Sequence, residues 1–221
     1  MESAKTILYY TSNREDPNFE RKIQDNILNS CGDIPIVSVS QKPIDFGKNI
    51  CVGDVGHSYL NEFRQILIGA KEAKTEYLIF TEADFLYPPE YFKFEPTGGN
   101  IYRYDNVWII FKHRPTVYFK KQYSIGAQIC KREFIIKELE KYLEGQPEWA
   151  DGKFSIRNVD KSRKIDYNDA PFEYFSGENA CISFKTGDSM SKRTIVMNNR
   201  GSRASVLPYW GNCVDLCKKY L

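Results

Sequence analysis

The sequence predicts an α/β protein in which helices cover both faces of a mostly parallel sheet. Within residues 5–85, short apolar segments alternate with segments whose apolar residues recur every three to four positions. Strands and helices that alternate at this spacing form right-handed crossovers, and therefore parallel strand pairs. After residues 88–89 the pattern changes to successive short strands, so the second half is predicted to be rich in strands.

The first strand and helix are predicted at residues 6–11 and 17–29. The strand is a short apolar run with two tyrosines, typical of a buried strand, and polar residues follow it. Asp16 and the proline after it provide an N-cap and a first helical residue. Gly32 ends the helix, whose apolar residues recur every four positions: Phe19, Ile23 and Ile27.

A second strand is predicted at 34–40, followed by a loop that contains three glycines. Ser58 caps the next helix, in which apolar residues keep a three-to-four residue spacing from Leu60 to Ala73. The third strand, 76–80, leads directly into Thr81-Glu82-Ala83-Asp84. Ligands of such sheets bind beyond the carboxyl ends of the strands, so the polar residues at these ends are candidates for binding.

The second half is predicted to contain strands, two helices and one long polar connection. Asp105-Asn106 has the composition of a tight hairpin turn between two strands. Residues 145–170 are polar and basic and are predicted to form a mobile connection. The other predicted elements are strands at 101–104, 107–112, 123–130, 180–185 and 194–197, and helices at 131–144 and 214–221.

Composition and the absence of several known motifs exclude several classes of protein. The sequence has no phosphate-binding P-loop, serine-hydrolase elbow, HExxH or CxxC motif, and two histidines are too few for a histidine-rich metal centre. The six cysteines are predicted to be reduced packing residues. No apolar run approaches the ~20 residues of a membrane span, so we expect a cytoplasmic chain without membrane insertion.

The net charge of +2 hides an asymmetry, because residues 1–110 carry −5 and residues 111–221 carry +7. In the acidic half, Glu82 and Asp84 follow a buried strand. Side chains two residues apart in an extended chain point the same way, so these two carboxylates are expected to converge. A hard divalent cation neutralises such a pair and leaves coordination sites for phosphate oxygens. The pattern predicts a site for a divalent cation and a diphosphate at Glu82 and Asp84.

Residues 5–92 resemble the nucleotide-binding half of GT-A fold glycosyltransferases, particularly those of family 2. The resemblance lies in the first strand with Thr11-Ser12-Asn13-Arg14, the capped second helix, and Tyr77 to Asp84 at the position of the family's D-x-D motif. It implies a nucleotide-diphosphate-sugar donor and a Mn²⁺ or Mg²⁺ ion, with Glu82 in place of the first Asp. It also places Thr11, Ser12, Asn13 and Arg14 against the nucleoside and Ser40 and Gln41 near the base.

Residues 93–221 resemble the acceptor half of that family more loosely, and the whole chain, 1–221, is expected to form one domain. An inverting transferase needs one carboxylate as general base near the acceptor hydroxyl. The family's E-D pair corresponds to Glu178-Asn179, so Glu178 is the first candidate, ahead of Asp169 and Glu173. Cations that aid departure of the diphosphate are expected in the late Gly/Ser/Asn-rich segment: Lys192, Arg193, Arg200 and Arg203.

The expected function is transfer of a sugar, with inversion, to a hydroxyl acceptor. Some small relatives act on hydroxymethylated DNA bases, so DNA is one acceptor and a saccharide or small molecule the other. Two further classes stay open, a nucleotidyltransferase of similar fold and a non-catalytic nucleic-acid-binding protein. The cluster that favours a polyanion lies in residues 153–164: Lys153, Arg157, Lys161, Arg163 and Lys164.

Overall fold

The computed structural model describes residues 4–121, 123–150, 170–187 and 202–221. Two sheets and a short two-stranded ribbon make up the strands of these segments. The strands are β1 (Lys5–Thr11), β2 (Ile36–Ser40), β3 (Lys48–Cys51), β4 (Tyr77–Glu82), β5 (Phe85–Leu86), β6 (Ile101–Tyr104), β7 (Val107–Phe111), β8 (Arg114–Lys121), β9 (Gln128–Lys131), β10 (Glu173–Phe175), β11 (Cys181–Lys185), β12 (Arg203–Ala204), β13 (Val206–Leu207) and β14 (Gly211–Asn212). The helices are α1 (Pro17–Cys31), α2 (Tyr59–Glu72), α3 (Pro89–Lys93), α4 (Arg132–Leu143) and α5 (Cys213–Tyr220).

The central sheet confirms the predicted fold class. Its seven strands lie in the order β10-β6-β9-β4-β1-β2-β3. The strands β4, β1, β2 and β3 are mutually parallel, whereas β9 runs antiparallel to both of its neighbours. The carboxyl ends of β1, β2 and β4 therefore meet at one edge of the sheet, as the sequence predicts.

Helices cover both faces of this sheet. Successive residues of β1 point to opposite faces, so neighbouring residues pack against different helices. On one face Ile7 packs with Ile23 and Ile27 of α1. On the other face Leu8 packs in a second cluster with residues of α2 and α4, including Ile66 and Ile135. Full burial of each such side chain stabilises the fold by about 1.5–3 kcal/mol.

The predicted start and end of α1 are confirmed. The Asp16 carboxylate accepts hydrogen bonds from the backbone N–H groups of Asn18 and Phe19, which the first turn of a helix leaves without partners. Gly32 follows the helix with φ +60°, a conformation that favours glycine. The Ser58 cap of α2 is confirmed in the same way, since its Oγ accepts from Asn61 N.

A second sheet, in the order β12-β8-β7-β11-β5, packs at the carboxyl edge of the first. Its strand β5 begins one residue after Asp84, and β11 runs antiparallel to it. The Phe184 N–H donates to the carbonyl of Asp84 at 2.7 Å, which extends this pairing to the end of β4. The second sheet thus brings residues about 100 positions later in the chain to the edge where β4 ends.

Several predictions for the connections were wrong. Asp105-Asn106 does not close a hairpin, because β6 belongs to the central sheet and β7 to the second sheet. The hairpin partner of β7 is β8, which the sequence analysis missed together with β3 and α3. Residues 123–130 form a 3₁₀ turn, Ile125–Ala127, before β9 rather than one strand. The predicted strand at 194–197 and most of the 145–170 connection lie outside the described residues.

Within the described ranges, no helix combines the length and apolar character that a membrane span requires. The apolar face of α2 is buried in the core.

Candidate functional site

A cavity of about 460 Å³ lies at the carboxyl ends of β1, β2 and β4. This volume falls within the range of small-molecule sites, about 300–1,000 Å³. Loops after all three strands, the start of α2 and residues of the second sheet contribute to its wall. The lining residues are Tyr10, Thr11, Ser12, Arg14, Glu15, Gln41, Gly56, His57, Ser58, Tyr59, Asn61, Glu62, Gln65, Glu82, Ala83, Asp84, Lys121, Ser124, Ile125 and Lys185.

Asn13 joins the loop after β1 to the loop after β2. Its Oδ1 accepts hydrogen bonds from the backbone N–H groups of Gln41, at 2.9 Å, and Lys42, at 2.8 Å. Asn13 has φ +52°, a region that asparagine tolerates better than most residues. Gln65 of α2 adds a second connection, because its Nε2 donates to the carbonyls of Thr11 and Val39. The two loops are therefore held as one surface.

A glycine-containing loop before α2 forms the opposite wall. The Gln41 Nε2 donates to the carbonyl of Gly56 at 2.5 Å, and Arg14 Nη1 lies 2.8 Å from His57 Nδ1. Asn61 holds the same loop from behind, since its Nδ2 donates to the carbonyl of Val55. The amide of Gln41 and the guanidinium of Arg14 thus line the cavity, and both contact this loop.

Glu82 and Asp84 both line the cavity, but for a different reason than the sequence analysis gave. The strand β4 ends at Glu82, and Ala83 and Asp84 form a turn before β5. The Glu82 Oε1 accepts from the Tyr10 hydroxyl at 3.0 Å, and its backbone N–H donates to the Tyr87 hydroxyl at 2.9 Å. The turn, rather than an extended strand, directs both carboxylates to one space.

Gly126 makes room for the Glu82 carboxylate. A Cβ atom at position 126 would lie 2.5 Å from the carboxylate carbon of Glu82, closer than real Cβ contacts. The Tyr87 hydroxyl donates to the carbonyl of Gly126 at 2.6 Å and fixes the same segment. The absence of a side chain at Gly126 therefore gives the Glu82 carboxylate its space.

The second sheet supplies two lysines to the cavity. Lys185, at the end of β11, places its Nζ 3.1 Å from Asp84 Oδ2, and both side chains are about 90% buried. Lys121, at the end of β8, donates to Ser124 Oγ at 3.0 Å. Burial and the charge of Lys185 lower the pKa of Lys121 to about 8. Burial alone would lower the pKa of Lys185, but the charges of Asp84 and Glu82 outweigh this effect and raise it.

Three carboxylates face these two ammonium groups. Burial, followed by the negative charge of Asp84, raises the pKa of Glu82 to about 7. Burial and the charges of Glu82 and Asp84 raise the pKa of Glu62, in the first turn of α2, to about 8. Burial and mutual repulsion thus both disfavour the ionised forms of Glu62 and Glu82.

These residues fit a divalent cation held by two carboxylates. Among the described residues no three or more His, Cys, Asp and Glu side chains are arranged as a metal centre. Mg²⁺ is commonly bound by one or two carboxylates, with waters and substrate phosphates completing the coordination. Carboxylate oxygens are suitable donors, and the excess negative charge around Glu82 and Asp84 favours a cation. Both carboxylates line the cavity, and their role as ligands of Mn²⁺ or Mg²⁺ stays a prediction.

The structure brings together six of the predicted donor-site residues in the cavity: Thr11, Ser12, Arg14, Gln41, Glu82 and Asp84. Two others, Asn13 and Ser40, lie behind its wall. The Ser40 Oγ donates to the carbonyl of Lys42 and accepts from Asn49 Nδ2, so Ser40 shapes the loop after β2 rather than facing the cavity.

The residues predicted for the base and the leaving group are not in this cavity where the structure describes them. Glu173 and Glu178 are exposed and do not line it. Arg203, on β12, lies with its guanidinium carbon 5.3 Å from the ring centroid of Phe119. Four more predicted residues lie outside the described ranges: Asp169, Lys192, Arg193 and Arg200.

The loop that carries Glu178 is nevertheless firmly held. Glu90 accepts hydrogen bonds from both the backbone N–H and the side-chain amide of Asn179. The Tyr104 hydroxyl donates to the carbonyl of Asn179 at 2.6 Å, and Asn106 Nδ2 donates to that of Glu178 at 3.1 Å. Asn179, which stands where the resembled family has an acid, is thus a structural partner of Glu90.

Sequence reasoning missed Glu62, Lys121 and Lys185. Glu62 has the sequence environment of an ordinary first-turn helix acid. Each lysine is the last residue of its strand, and a charged residue at a strand end was the signal that could have identified it. Their convergence depends on the pairing of β11 with β5, which no local pattern shows.

No family model and no curated protein matches the sequence of this chain. Solved structures are similar in fold. The inositol-1-phosphate CTP transferase from T. maritima is 14% identical, with a TM-score of 0.51 over 90% of this chain and 97% of that chain. Residues 1–349 of S. aureus TarS, in complex with UDP-GlcNAc, are 11% identical, with a TM-score of 0.52 over 86% of this chain and 61% of that chain.

A third similar structure is the mannosyltransferase PcManGT from Pyrobaculum calidifontis in complex with GDP-Man and Mn²⁺. It is 15% identical, with a TM-score of 0.45 over 83% of this chain and 57% of that chain. The fold of this chain is therefore similar to that of a CTP transferase and to that of a protein that binds UDP-GlcNAc. At these identities the likeness shows the fold alone, and the function has to be argued from the cavity.

Proposed function

We propose that this chain is a glycosyltransferase that uses a nucleotide-diphosphate-sugar. The observation that carries the proposal is the convergence of Glu82 and Asp84 with the loops after β1 and β2 on one 460 Å³ cavity. Arg14 and Gln41 would contact the nucleoside, and the acid pair lies where a diphosphate would follow it. The TarS structure supports this reading, because a protein of the same fold binds a nucleotide-sugar.

The reaction would be a displacement at the anomeric carbon of the donor. The bond between that carbon and the diphosphate oxygen breaks, and its electron pair stays on the diphosphate. The acceptor oxygen forms the new bond and gives its proton to a carboxylate base. Attack on the face opposite the leaving group inverts the configuration, as the resemblance to family 2 implies.

A divalent cation bound by Glu82 and Asp84 would offset the charge that develops on the leaving diphosphate. The chain's own contribution is to aim both carboxylates at the cavity. The Tyr10 hydroxyl donates to Glu82, and Lys185 pairs with Asp84. Tyr59 and Ile125 on the rim of the cavity would restrict the access of water to the anomeric carbon.

Four carboxylates are candidates for the base. Glu178 follows from the resemblance and lies on a loop that Glu90 holds, with Asp169 and Glu173 as its alternatives. Glu62 follows from its place in the cavity wall. The acceptor proposed from the basic second half is a polyanion such as DNA with hydroxymethylated bases, and a saccharide or small molecule is the alternative.

A nucleotidyltransferase is the second candidate function. It is favoured by the structure of the T. maritima CTP transferase, because 97% of that chain aligns with this one. Such an enzyme is expected to hold its triphosphate with a glycine-rich, basic loop after the first strand. Residues 11–14 contain no glycine, and Arg14 Nη1 contacts His57 instead. We therefore place nucleotidyl transfer second.

The products of turnover separate these two functions. The purified chain would be incubated with UDP-, GDP- and CDP-sugars in one series, and with CTP or UTP plus sugar phosphates in the other, with Mn²⁺ or Mg²⁺. Release of a nucleoside diphosphate from the first series supports the proposal. Release of pyrophosphate from the second series alone, with no diphosphate from any nucleotide-sugar, would replace it with nucleotidyl transfer.

A further inference from the structure

Lys121 and Lys185 have no role yet in the proposed reaction, although both line the cavity. Each comes at the end of a strand of the second sheet, β8 or β11. Lys185 contacts Asp84 Oδ2 at 3.1 Å, and Lys121 contacts Ser124 Oγ at 3.0 Å. A lysine ammonium has three N–H donors, so each group can donate to a ligand beyond these contacts.

Placing two ammonium groups together in a partly buried space costs free energy. Both lysines line one cavity, so the two positive charges repel one another. One lysine would be enough to form the ion pair with Asp84. Both ammonium groups line the cavity beside the proposed donor site, so an anion bound there can accept hydrogen bonds from both.

We propose that Lys185 and Lys121 bind the diphosphate of the donor. The inference rests on the proposed glycosyl transfer and names the residues that contact the leaving group. It puts the phosphate-binding cations at the ends of β11 and β8, rather than in the late segment where the sequence analysis expected them. Arg203 of that segment packs on Phe119 and does not line the cavity.

The role follows from the balance of charge during transfer. When the bond to the anomeric carbon breaks, its electron pair stays on the terminal diphosphate oxygen, which gains one negative charge. The acceptor proton goes to the base, so the cavity itself receives no compensating proton. The ammonium of Lys185 stabilises the new charge, and Asp84 keeps that ammonium in place through their ion pair.

Titration with nucleoside diphosphates tests the proposal without any need for turnover. Binding of UDP and GDP would be measured by calorimetry in Mn²⁺ and again in EDTA. A charge-assisted hydrogen bond is worth about 1.5–3 kcal/mol, which corresponds to about 10- to 100-fold in affinity. We expect this loss in Lys185→Met and in Lys121→Met, and a loss below about 5-fold in Lys185→Arg.

Two controls separate phosphate binding from a structural effect. Lys48→Met makes the same change at an exposed lysine of β3 and should bind UDP and GDP as wild type does. Uridine and guanosine have no phosphate, so the Lys185 and Lys121 variants should bind them as wild type does. If Lys185→Met fails to fold because Asp84 loses its partner, Lys121→Met and Lys185→Arg decide, since neither leaves a buried carboxylate unpaired.

Each outcome has a definite meaning. Loss of diphosphate binding with unchanged nucleoside binding supports the proposal. Wild-type affinity of Lys121→Met and Lys185→Met for UDP and GDP, or an equal loss for uridine and guanosine, overturns it and leaves the proposed glycosyl transfer standing. A wild-type chain that binds neither nucleoside diphosphate, in Mn²⁺ or in EDTA, overturns the proposed function and this inference together.

Discussion

Glu82 is placed by neighbours that each restrict a different atom. The Tyr10 hydroxyl holds Oε1, the Tyr87 hydroxyl holds the backbone N–H, and Gly126 leaves the space that the carboxylate occupies. A side chain held in this way is oriented before a ligand arrives, which lowers the entropic cost of binding. The orientation of Glu82 therefore depends on Tyr10, Tyr87 and Gly126.

Gly126→Ala tests this dependence. The added Cβ would lie 2.5 Å from the Glu82 carboxylate carbon, so the carboxylate has to move. We expect donor binding to weaken and unfolding free energy to fall by about 1–3 kcal/mol, the usual cost of overpacking. Thermal unfolding and donor titration measure the two effects.

A double-mutant cycle shows whether Glu82 is the cause. In the background of Glu82→Ala the added methyl group meets no carboxylate, so the stability cost of Gly126→Ala should largely disappear. An equal cost in both backgrounds would show that the glycine serves the backbone instead.

The identity of the base is tested by Glu178→Gln and Glu62→Gln. Removal of a general base typically lowers turnover by about 10²- to 10⁴-fold, while an amide keeps the size and a hydrogen-bonding oxygen. If Glu178 is the base, its variant loses kcat and keeps donor affinity, because the base contacts the acceptor side. Normal turnover of Glu178→Gln together with an inactive Glu62→Gln would assign the role to Glu62.

The elements β1 and α1 meet through a buried polar pair as well as through their apolar residues. Glu20 of α1 is 5% exposed, and its Oε1 accepts from the Tyr9 hydroxyl of β1 at 2.8 Å. Burial raises the pKa of Glu20, although hydrogen bonds from Tyr9 and other neighbours oppose the shift. The ionised form is therefore less favourable in the folded chain than in the unfolded one.

This sign predicts how stability changes with pH. The contribution of a carboxyl whose folded pKa is raised is fully present below its unfolded pKa, about 4.3, and is lost as the pH rises through the folded pKa. Glu20→Gln keeps an acceptor for Tyr9 and cannot ionise. We expect its melting temperature at neutral pH to exceed that of wild type, and the difference to shrink towards pH 4.

The exposed Glu148 provides the matched control, because Glu148→Gln makes the same change away from the core. It should leave the pH dependence of melting unchanged. A Glu20→Gln chain that melts below wild type at neutral pH, by the same margin at every pH, would contradict the reasoning for Glu20.

Sequence patterns predicted the elements whose signals are local. The strands β1 and β4, the helices α1 and α2 and their caps, and the position of Glu82 and Asp84 follow from periodicity and capping residues within each segment. The prediction that β6 and β7 form one hairpin was wrong. Asp105-Asn106 has the composition of a turn whether the two strands pair with each other or join different sheets. Which sheet a strand joins is decided by partners far along the chain, such as β9 for β6 and β11 for β7.

The same limit applies to the candidate site. Residues at the ends of β1, β2 and β4 could be named from the sequence because a parallel sheet gathers them at one edge. Lys121 and Lys185 could not, since their positions depend on how the second sheet packs on the first. Glu62 was missed because an acid in the first turn of a helix has an ordinary explanation in the helix dipole.

Across the whole molecule, opposite charges are divided between the two halves of the sequence. The acidic first half contains Glu62, Glu82 and Asp84, and the second half contributes Lys121 and Lys185 to the same cavity. The site is thus assembled where the two halves meet. The remaining positive charge of the second half is available for an anionic acceptor.

Salt dependence tests a DNA acceptor. Each phosphate that the protein neutralises releases a counterion. A plot of log affinity against log salt concentration therefore has a slope of roughly −0.9 per phosphate contact on duplex DNA. Substituting Lys153, Arg157 and Lys161 with neutral residues should flatten this slope and raise the acceptor KM, with no change in donor binding. A variant that modifies DNA as well as wild type does, or a wild-type chain without salt-dependent DNA binding, would favour a saccharide or small-molecule acceptor.

The most direct test of the account is the thermal stability of wild type and Asp84→Asn with nucleotide-diphosphate-sugars and Mn²⁺. A ligand that binds the folded state raises the melting temperature with its concentration. We predict a saturable rise for wild type with at least one UDP- or GDP-sugar, its loss in Asp84→Asn, and a normal response in the exposed control Asp33→Asn. If no nucleotide-sugar stabilises wild type, or if Asp84→Asn is stabilised equally, the chain does not use this cavity for a sugar donor.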